Sequence, residues 1–200
     1  MSISITEIKE YLSDVQKLIL ILLWCCKRKP IKGKLWLQKE LLMIAHAKPE
    51  LFRELDFEAY LFGPHSERLD VELDNLRQLG LVTDRPEIKL TRNGEELAEL
   101  LARESDKETI KLAEEIKEWL NDLTEDELLA IIYTTFPNMT KESLKYKQVM
   151  KRRREIAIRL YQKGKVSLNR AAEIAGLPLE KFMNELKKLS ISIEIDHNEL

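Results

Sequence analysis

Glycine is scarce in this chain, six residues in 200, and no GxSxG, P-loop or GxGxxG spacing occurs. That removes the nucleophile elbows and phosphate cradles that need closely placed glycines. Histidine occurs three times, at His46, His65 and His197, far apart and without cysteine or carboxylate at ligand spacing, so no metal site and no cofactor are expected. The two cysteines, Cys25 and Cys26, are neighbours inside an apolar run. Adjacent residues do not easily reach disulfide geometry, and this pair lacks a convincing base, so they read as small buried hydrophobes of a reducing compartment. The apolar run itself, Leu18 to Cys26, is nine residues, too short to span a bilayer, and it lacks the basic leader and cleavage site of a signal peptide. A cytoplasmic protein without enzymatic chemistry and without a membrane partner is the expectation.

A net charge of one sign is also missing: 34% of residues are charged, yet the formal total is −2. The distribution is uneven. Residues 1–94 sum to +1, residues 95–140 to −9 and residues 141–200 to +6, so a local positive surface is compatible with a neutral whole. The alternative is that each run is a solvated helix face. With 44% apolar residues the chain has enough material for a real core. Lys and Glu are plentiful while Asn and Gln are few, as in proteins of hot-living organisms.

Periodicity predicts a mainly α fold. Ile8, Leu12, Val15, Leu18, Ile19, Leu22 and Leu23 recur at helical spacing and predict one long helix from Thr6 to Lys27, closed by Pro30 and Gly33. A second helix fits Leu35 to Ala47, and Leu55 to Phe62 suits a short strand or extended segment. After Gly63-Pro64-His65-Ser66, with Ser66 as N-cap, a helix runs from Glu67 to Leu79 and stops at Gly80. Leu81–Thr83 and Ile88–Leu90 form a hairpin, and Thr91 caps the helix Gly94 to Glu104. Helix, helix, helix, hairpin, helix is the order of a winged helix-turn-helix. Lys107 to Leu120 follows, then a Thr124/Glu127 capping box ahead of Leu128 to Phe136. Pro137 ends that helix, and Lys141 to Lys163 suits one long basic helix. The expected organisation is a winged-helix domain over 1–104, an acidic helical connector over 105–140 packed on it, and a basic helix-turn-helix domain over 141–200. Trp24, Trp36 and Trp119 sit at core-like positions.

The stretch VSLNRAAEIAGLPLEKFMNELKK, Val166 to Lys188, carries the strongest functional signal. A helix-turn-helix needs a small residue at the helix crossing, a residue tolerant of positive φ in the turn and an apolar anchor on the second helix. Ala172, Gly176 and Phe182 supply these, Ser167 caps the first helix and Pro178 opens the second. The usual second anchor position is Glu185, whereas the apolar residue is Leu186. Should the second helix enter a major groove, Lys181, Asn184, Glu185 and Lys188 meet the bases or phosphates, with Asn169 and Arg170 near the backbone. Lys151, Arg152, Arg153, Arg154 and Arg159 upstream offer further phosphate contacts. The competing reading pairs this arginine run with the acidic middle of the same chain. The tail Ser190 to Asp196 alternates isoleucine with polar residues and reads as a strand that pairs within the chain or with a second copy, a homodimer then reading a palindrome.

In the N-terminal winged helix the would-be reading helix carries Glu67, Asp70, Glu72 and Asp74 against Arg68 and Arg77. Acidic side chains repel phosphate, so this module points to a protein partner. The alternative is DNA contact through the basic loop Lys27 to Lys34 and the wing residues Arg85, Lys89 and Arg92.

Two resemblances follow from these segments. LQKELLMIAHA, FEAYLFGPHS, LDNLRQLGLV, KLTRNGEE and YTTFPNMTKES, in that order over Leu37 to Ser143, resemble the Panacea or SocA-type winged-helix domain of antitoxins and prokaryotic regulators. REIAIRLYQKGKVSLNRAAEIAGLPLEKFMNELKKLSISIEID, Arg154 to Asp196, is similar to a small uncharacterised archaeal and cyanobacterial family labelled VapB-like antitoxins. The resemblances imply a cytoplasmic, archaeal, DNA-binding transcription regulator or antitoxin. The alternative they leave open is an adaptor that binds a toxin or regulator through the winged helix without reading DNA. Fusing both modules in one chain departs from the stand-alone versions.

Overall fold

Ser13 divides what periodicity presents as one helix. Its hydroxyl accepts the Gln16 N–H at 3.1 Å while the Gln16 side chain accepts the Ser13 N–H at 3.1 Å. This reciprocal capping satisfies two donors that a continuous helix would use differently. The computed structural model, which describes residues 5–193, therefore has α1 over Ile5–Tyr11 and a separate α2 over Asp14–Arg28. The chain is mainly α-helical, and it divides into two compact units, residues 1–58 with 64–122 and residues 59–63 with 123–200.

In the first unit α2 is the central element. Val15, Leu18 to Leu23 and Cys25 are all buried, so the helix is apolar around most of its circumference, as a fully enclosed helix must be. Its end turns left-handed, with φ of 54° at Cys26, 56° at Lys27 and 61° at Arg28. The carbonyls this leaves without helical partners are met by a buried amine: Lys117 Nζ donates to Leu22, Leu23 and Cys25 at 2.8, 3.1 and 3.1 Å. Burial lowers the Lys117 pKa, with Glu40 opposing that shift, and burial raises the Glu40 carboxyl well above its ordinary value. Both cysteines are free, and burial pushes the Cys25 thiol up to about 12.

Against α2 pack α5 (Glu67–Gln78), the strand β2 (Lys89–Leu90), α6 (Arg92–Glu104) and α7 (Lys107–Leu120), while α3 (Lys34–Ala47) packs on α7 and on α4 (Pro49–Leu55), and β1 (Val82–Thr83) on α5 and β2. The helix α4 replaces the first residue of the expected strand at 55–62, because Pro49 at its first turn lacks only an N–H the helix does not use. Beyond it the chain is extended, and Glu58 and His65 exchange both main-chain bonds at 2.9 and 2.8 Å. Ser66 caps α5 as expected, accepting the Leu69 N–H at 3.3 Å. The antiparallel hairpin pairs Val82 with Leu90 and Thr83 with Lys89, and Ile31 adds a bridge to Ile88. Gly94 lies so close to the hairpin that a Cβ there would overlap the Leu81 carbonyl. Trp24, Trp36 and Trp119 are half-buried rather than enclosed.

The second unit holds α8 (Glu125–Thr135), α9 (Tyr146–Lys151), α10 (Arg153–Gln162), α11 (Leu168–Ala175) and α12 (Leu179–Lys188). The Thr124/Glu127 capping box is present. The single basic helix expected over 141–163 is instead two, because residues 141–145 are turns and Arg152 leaves helical geometry at φ −103°, ψ 8°. Thus α7 falls in the first unit and α8 in the second. Among the described residues no helix is long and apolar enough to cross a membrane. Of the tail expected as a strand, residues 190–193 form none, and residues 194–196, like His197, lie outside the described residues.

Candidate nucleic-acid interface

The turn between α11 and α12 is built as its residues require. Ser167 accepts the Arg170 N–H at 3.2 Å and starts α11. Gly176 ends it with φ 70°, ψ 34°, a conformation that costs other residues on the order of 1 kcal/mol. The chain then re-enters helix after Pro178, whose φ of −56° suits the approach. Inward on α12 face Phe182 and Leu186, both fully buried, four residues apart. This fixes the phase left open by the sequence. Leu186 is the second anchor, and Glu185 turns aside to meet Arg154 at 3.6 Å. The helix α10 supports the pair by packing on both α8 and α11.

With Phe182 and Leu186 inside, Lys181, Asn184 and Lys188 project from the outer side of α12. All three are exposed and none has a polar partner among the described residues. They stand at i, i+3 and i+7, a spacing that keeps them on one face. Lys151, the last residue of α9, is likewise exposed. Asn169 is exposed on α11.

The arginines are placed differently. Arg152 donates to Asp126 at 2.8 Å and approaches Glu155 at 3.4 Å. Arg153 donates Nε to the Ile174 carbonyl at 2.5 Å and Nη2 to the Glu173 carbonyl at 2.8 Å, so it closes the C-terminal end of α11, where the helix dipole favours a cation. Arg159 reaches Glu127 at 3.6 Å and pairs with Glu155. Arg170 binds Glu173 at 2.7 Å and the hydroxyls of Thr134 and Thr135 at 3.2 and 2.6 Å. Arg154, 63% exposed, is the most open of the five.

The centre of this network is Glu127, whose side chain is fully enclosed. Its carboxylate accepts Lys163 Nζ at 2.7 and 2.9 Å and the Thr124 N–H at 2.9 Å. Burial favours the neutral acid, yet the Lys163 and Thr124 donors outweigh it and hold the carboxyl below its ordinary value. Sequence reasoning recognised Glu127 only as the third residue of a capping box. Its second role depends on a lysine 36 positions away, and no local pattern announces that.

In the first unit most of the basic loop is also engaged, whereas of the wing residues Arg92 alone is paired, and Arg85 and Lys89 are exposed without a polar partner among the described residues. Arg28 meets Glu95 at 3.2 Å, Lys29 meets Asp122 at 2.5 Å, and Lys34 approaches Asp70 at 3.8 Å. Arg92 pairs with Glu96 at 3.4 Å, and Lys32 lies 5.4 Å from the Trp36 ring centre.

Comparison with known proteins concerns the second unit. Residues 132–200 match the uncharacterised protein family UPF0175. A UPF0175 protein of Archaeoglobus fulgidus is 44% identical over 45 residues, 22% of this chain. The chain spans about half, 52%, of the length of that relative. The similarity takes in the C-terminal third, which contains α9 to α12.

Proposed function

We propose that this protein is a DNA-binding regulator of the antitoxin type, with α12 as the helix that enters the major groove. The observation that carries the reading is the outer face of α12: a lysine, an asparagine and a lysine at i, i+3 and i+7, exposed and without a polar partner among the described residues, on a helix whose opposite side is locked by Phe182 and Leu186. Lysines supply phosphate or guanine contacts and asparagine suits adenine. Arg152, Arg153, Arg159 and Arg170 serve the packing of α8, α10 and α11 in this reading, and the phosphate contacts fall to Lys151, Arg154, Lys181 and Lys188. Two chains acting as a dimer read a two-fold site. The N-terminal unit supplies a Panacea or SocA-like winged helix, and the protein acts in the cytoplasm, without enzymatic activity.

A second reading is favoured by the arginine network itself. A chain that commits most of its guanidinium groups internally has few left for a polyanion, which suits an adaptor that captures a toxin or regulator and whose helix-turn-helix is architectural. Salt dependence of duplex binding, measured by fluorescence anisotropy on a random-sequence 30-base-pair DNA, separates the two. Four phosphates neutralised by Lys151, Arg154, Lys181 and Lys188 give a log-log slope of about −3.6 per chain. Absence of any salt-dependent binding by the intact protein rejects the DNA reading in favour of the adaptor.

A further inference from the structure

In the second unit an apolar patch lies apart from α12. The segment 59–63 turns back at Tyr60–Gly63, where the Gly63 N–H donates to the Tyr60 carbonyl at 3.0 Å, and it is held beside the turns that follow α8: the Leu144 N–H donates to the Leu61 carbonyl at 3.0 Å, and the Ser143 hydroxyl reaches the same oxygen at 3.3 Å. Tyr133 anchors the arrangement from beneath. Its hydroxyl bonds Ser143 at 2.5 Å, its ring lies 5.4 Å from that of Tyr146, and it packs so close to Gly63 that a Cβ there would stand 3.0 Å from the ring. Above this ordered base four large apolar side chains remain open: Leu144 is 73% exposed, Tyr60 49%, Leu61 40% and Phe62 37%. Two sequence-distant segments thus combine to display hydrophobic side chains in one place, and contiguous exposed patches of that kind mark interaction sites rather than ordinary surface.

The patch borders a cavity of about 450 Å³ lined by Thr140, Lys141, Ser143, Leu144, Tyr146 and Lys147. Its lining contains two exposed lysines and no carboxylate. The neighbouring charge has the same sign: residues 141–151 include lysines at 141, 145, 147 and 151 and the single carboxylate Glu142. Of these Lys145 is engaged by Glu125 at 3.1 Å, and of the remaining three Lys141 and Lys147 line the cavity and are placed to meet an incoming group. A free phosphate compound satisfies the lysines but leaves Leu144, Leu61 and Phe62 uncovered. A purely apolar partner leaves the ammonium groups facing nothing. A protein segment with a leucine or aromatic anchor flanked by Asp or Glu satisfies both.

We infer that the surface formed by Tyr60, Leu61, Phe62 and Leu144, rimmed by Lys141 and Lys147, docks a short acidic segment of a partner protein that inserts one apolar side chain beside Leu144. Binding energy comes from burial of the anchor, while the lysines set orientation and raise the association rate. None of its residues belongs to α12, so the peptide and duplex experiments test different side chains.

The test uses the full chain as bait for a phage-displayed library of random 12-residue peptides, followed by anisotropy titration of the enriched peptides as fluorescein conjugates. The expected peptides carry a Leu, Phe or Trp next to Asp or Glu. Their Kd weakens at least tenfold in Leu144→Asp and at least threefold in Lys141→Glu/Lys147→Glu, and weakens with added salt. Leu144 and both lysines are exposed, so these variants retain the wild-type circular dichroism spectrum, and Leu189→Asp, at the exposed leucine that ends α12, is the matched control. Enriched peptides that lack acidic residues, or that bind Leu144→Asp as well as wild type, overturn the inference. So does a concentration-dependent dimer by sedimentation that Leu144→Asp dissociates, which assigns the patch to a second copy, and so does inorganic phosphate competing with the peptides at low millimolar concentration. Duplex binding by Leu144→Asp remains at the wild-type level whichever way the peptide experiment falls.

Discussion

Arg153 and Gly176 occupy each other's space: the guanidinium that closes α11 lies where a side chain at 176 would begin, 2.6 Å from the Cζ and Nη1 atoms. The glycine is thus required twice, by its φ of 70° and by its neighbour. Gly176→Ala is expected to destabilise the second unit by about 2 kcal/mol, combining left-handed strain with displacement of the arginine. Arg153→Ala takes the side-chain donor from the Ile174 carbonyl and leaves the Glu173 carbonyl with the Gly176 N–H alone, and costs about 0.5–1.5 kcal/mol. Because both act through one contact, the double variant falls short of the sum by about 1 kcal/mol, which urea titration of all four proteins measures.

Glu127 predicts an acid-side weakness. Its carboxyl is held below its ordinary value in the folded chain, so its contribution is complete above about pH 4.5 and is lost as pH falls through the depressed folded value. Glu127→Ala removes that contribution at all pH and leaves Lys163 and the Thr124 N–H without their partner, a loss of about 2–4 kcal/mol at pH 7. Thermal melts from pH 7 to pH 3 are expected to converge for wild type and variant.

Lys39 predicts the opposite side. It is almost wholly enclosed, its amine donates to the Pro64 carbonyl, and burial lowers its pKa to about 7. Below that value folded and unfolded chains both hold the proton and the folded state bears the full cost of a buried charge. Between about pH 7 and 10.5 the unfolded chain binds more protons, so stability rises with pH and levels off above that window. The gain from pH 7 to pH 9 is on the order of 2 kcal/mol. Lys39→Met removes this slope from the difference between the two proteins' urea midpoints.

On α12, Lys181→Ala and Lys188→Ala are each expected to reduce the magnitude of the salt slope of DNA binding by about 1. Asn184→Ala leaves the slope unchanged and relaxes sequence preference. Arg152→Ala and Arg153→Ala leave the slope near wild type while lowering stability. An arginine variant that flattens the slope as strongly as Lys181→Ala contradicts the division of labour drawn above.

These contrasts explain what was legible in the sequence. Capping and turn residues act over three or four positions, so Ser66, Thr91, Thr124, Ser167 and Gly176 were readable, and with them α3, α5, the hairpin, α7, α11 and α12. Ser13 escaped because the apolar periodicity continues through it, and only the reciprocal Gln16 bond reveals the break. At the candidate interface the exposure of Lys151, Lys181, Asn184 and Lys188 was legible in the sequence. Its arginines follow in part the alternative stated from the sequence, pairing with the acidic middle: Arg152 and Arg159 meet Asp126 and Glu127, while the individual partners are set by tertiary packing. The run at 152–154 is uniform in sequence yet faces a carboxylate, a pair of carbonyls and a glutamate of α12 in turn. Likewise α4 and the break at Arg152 answer to packing and turns rather than to hydrophobic period.

One enclosed carboxylate both starts α8 and holds the end of α10 through Lys163. Neither helix therefore loosens alone: the amide of Thr124 and those of the last turn of α10 should take up deuterium at a common rate, as a single opening block. The pair α11 and α12, through the packing of α11 on α8 and α10, is then expected to open together with that block.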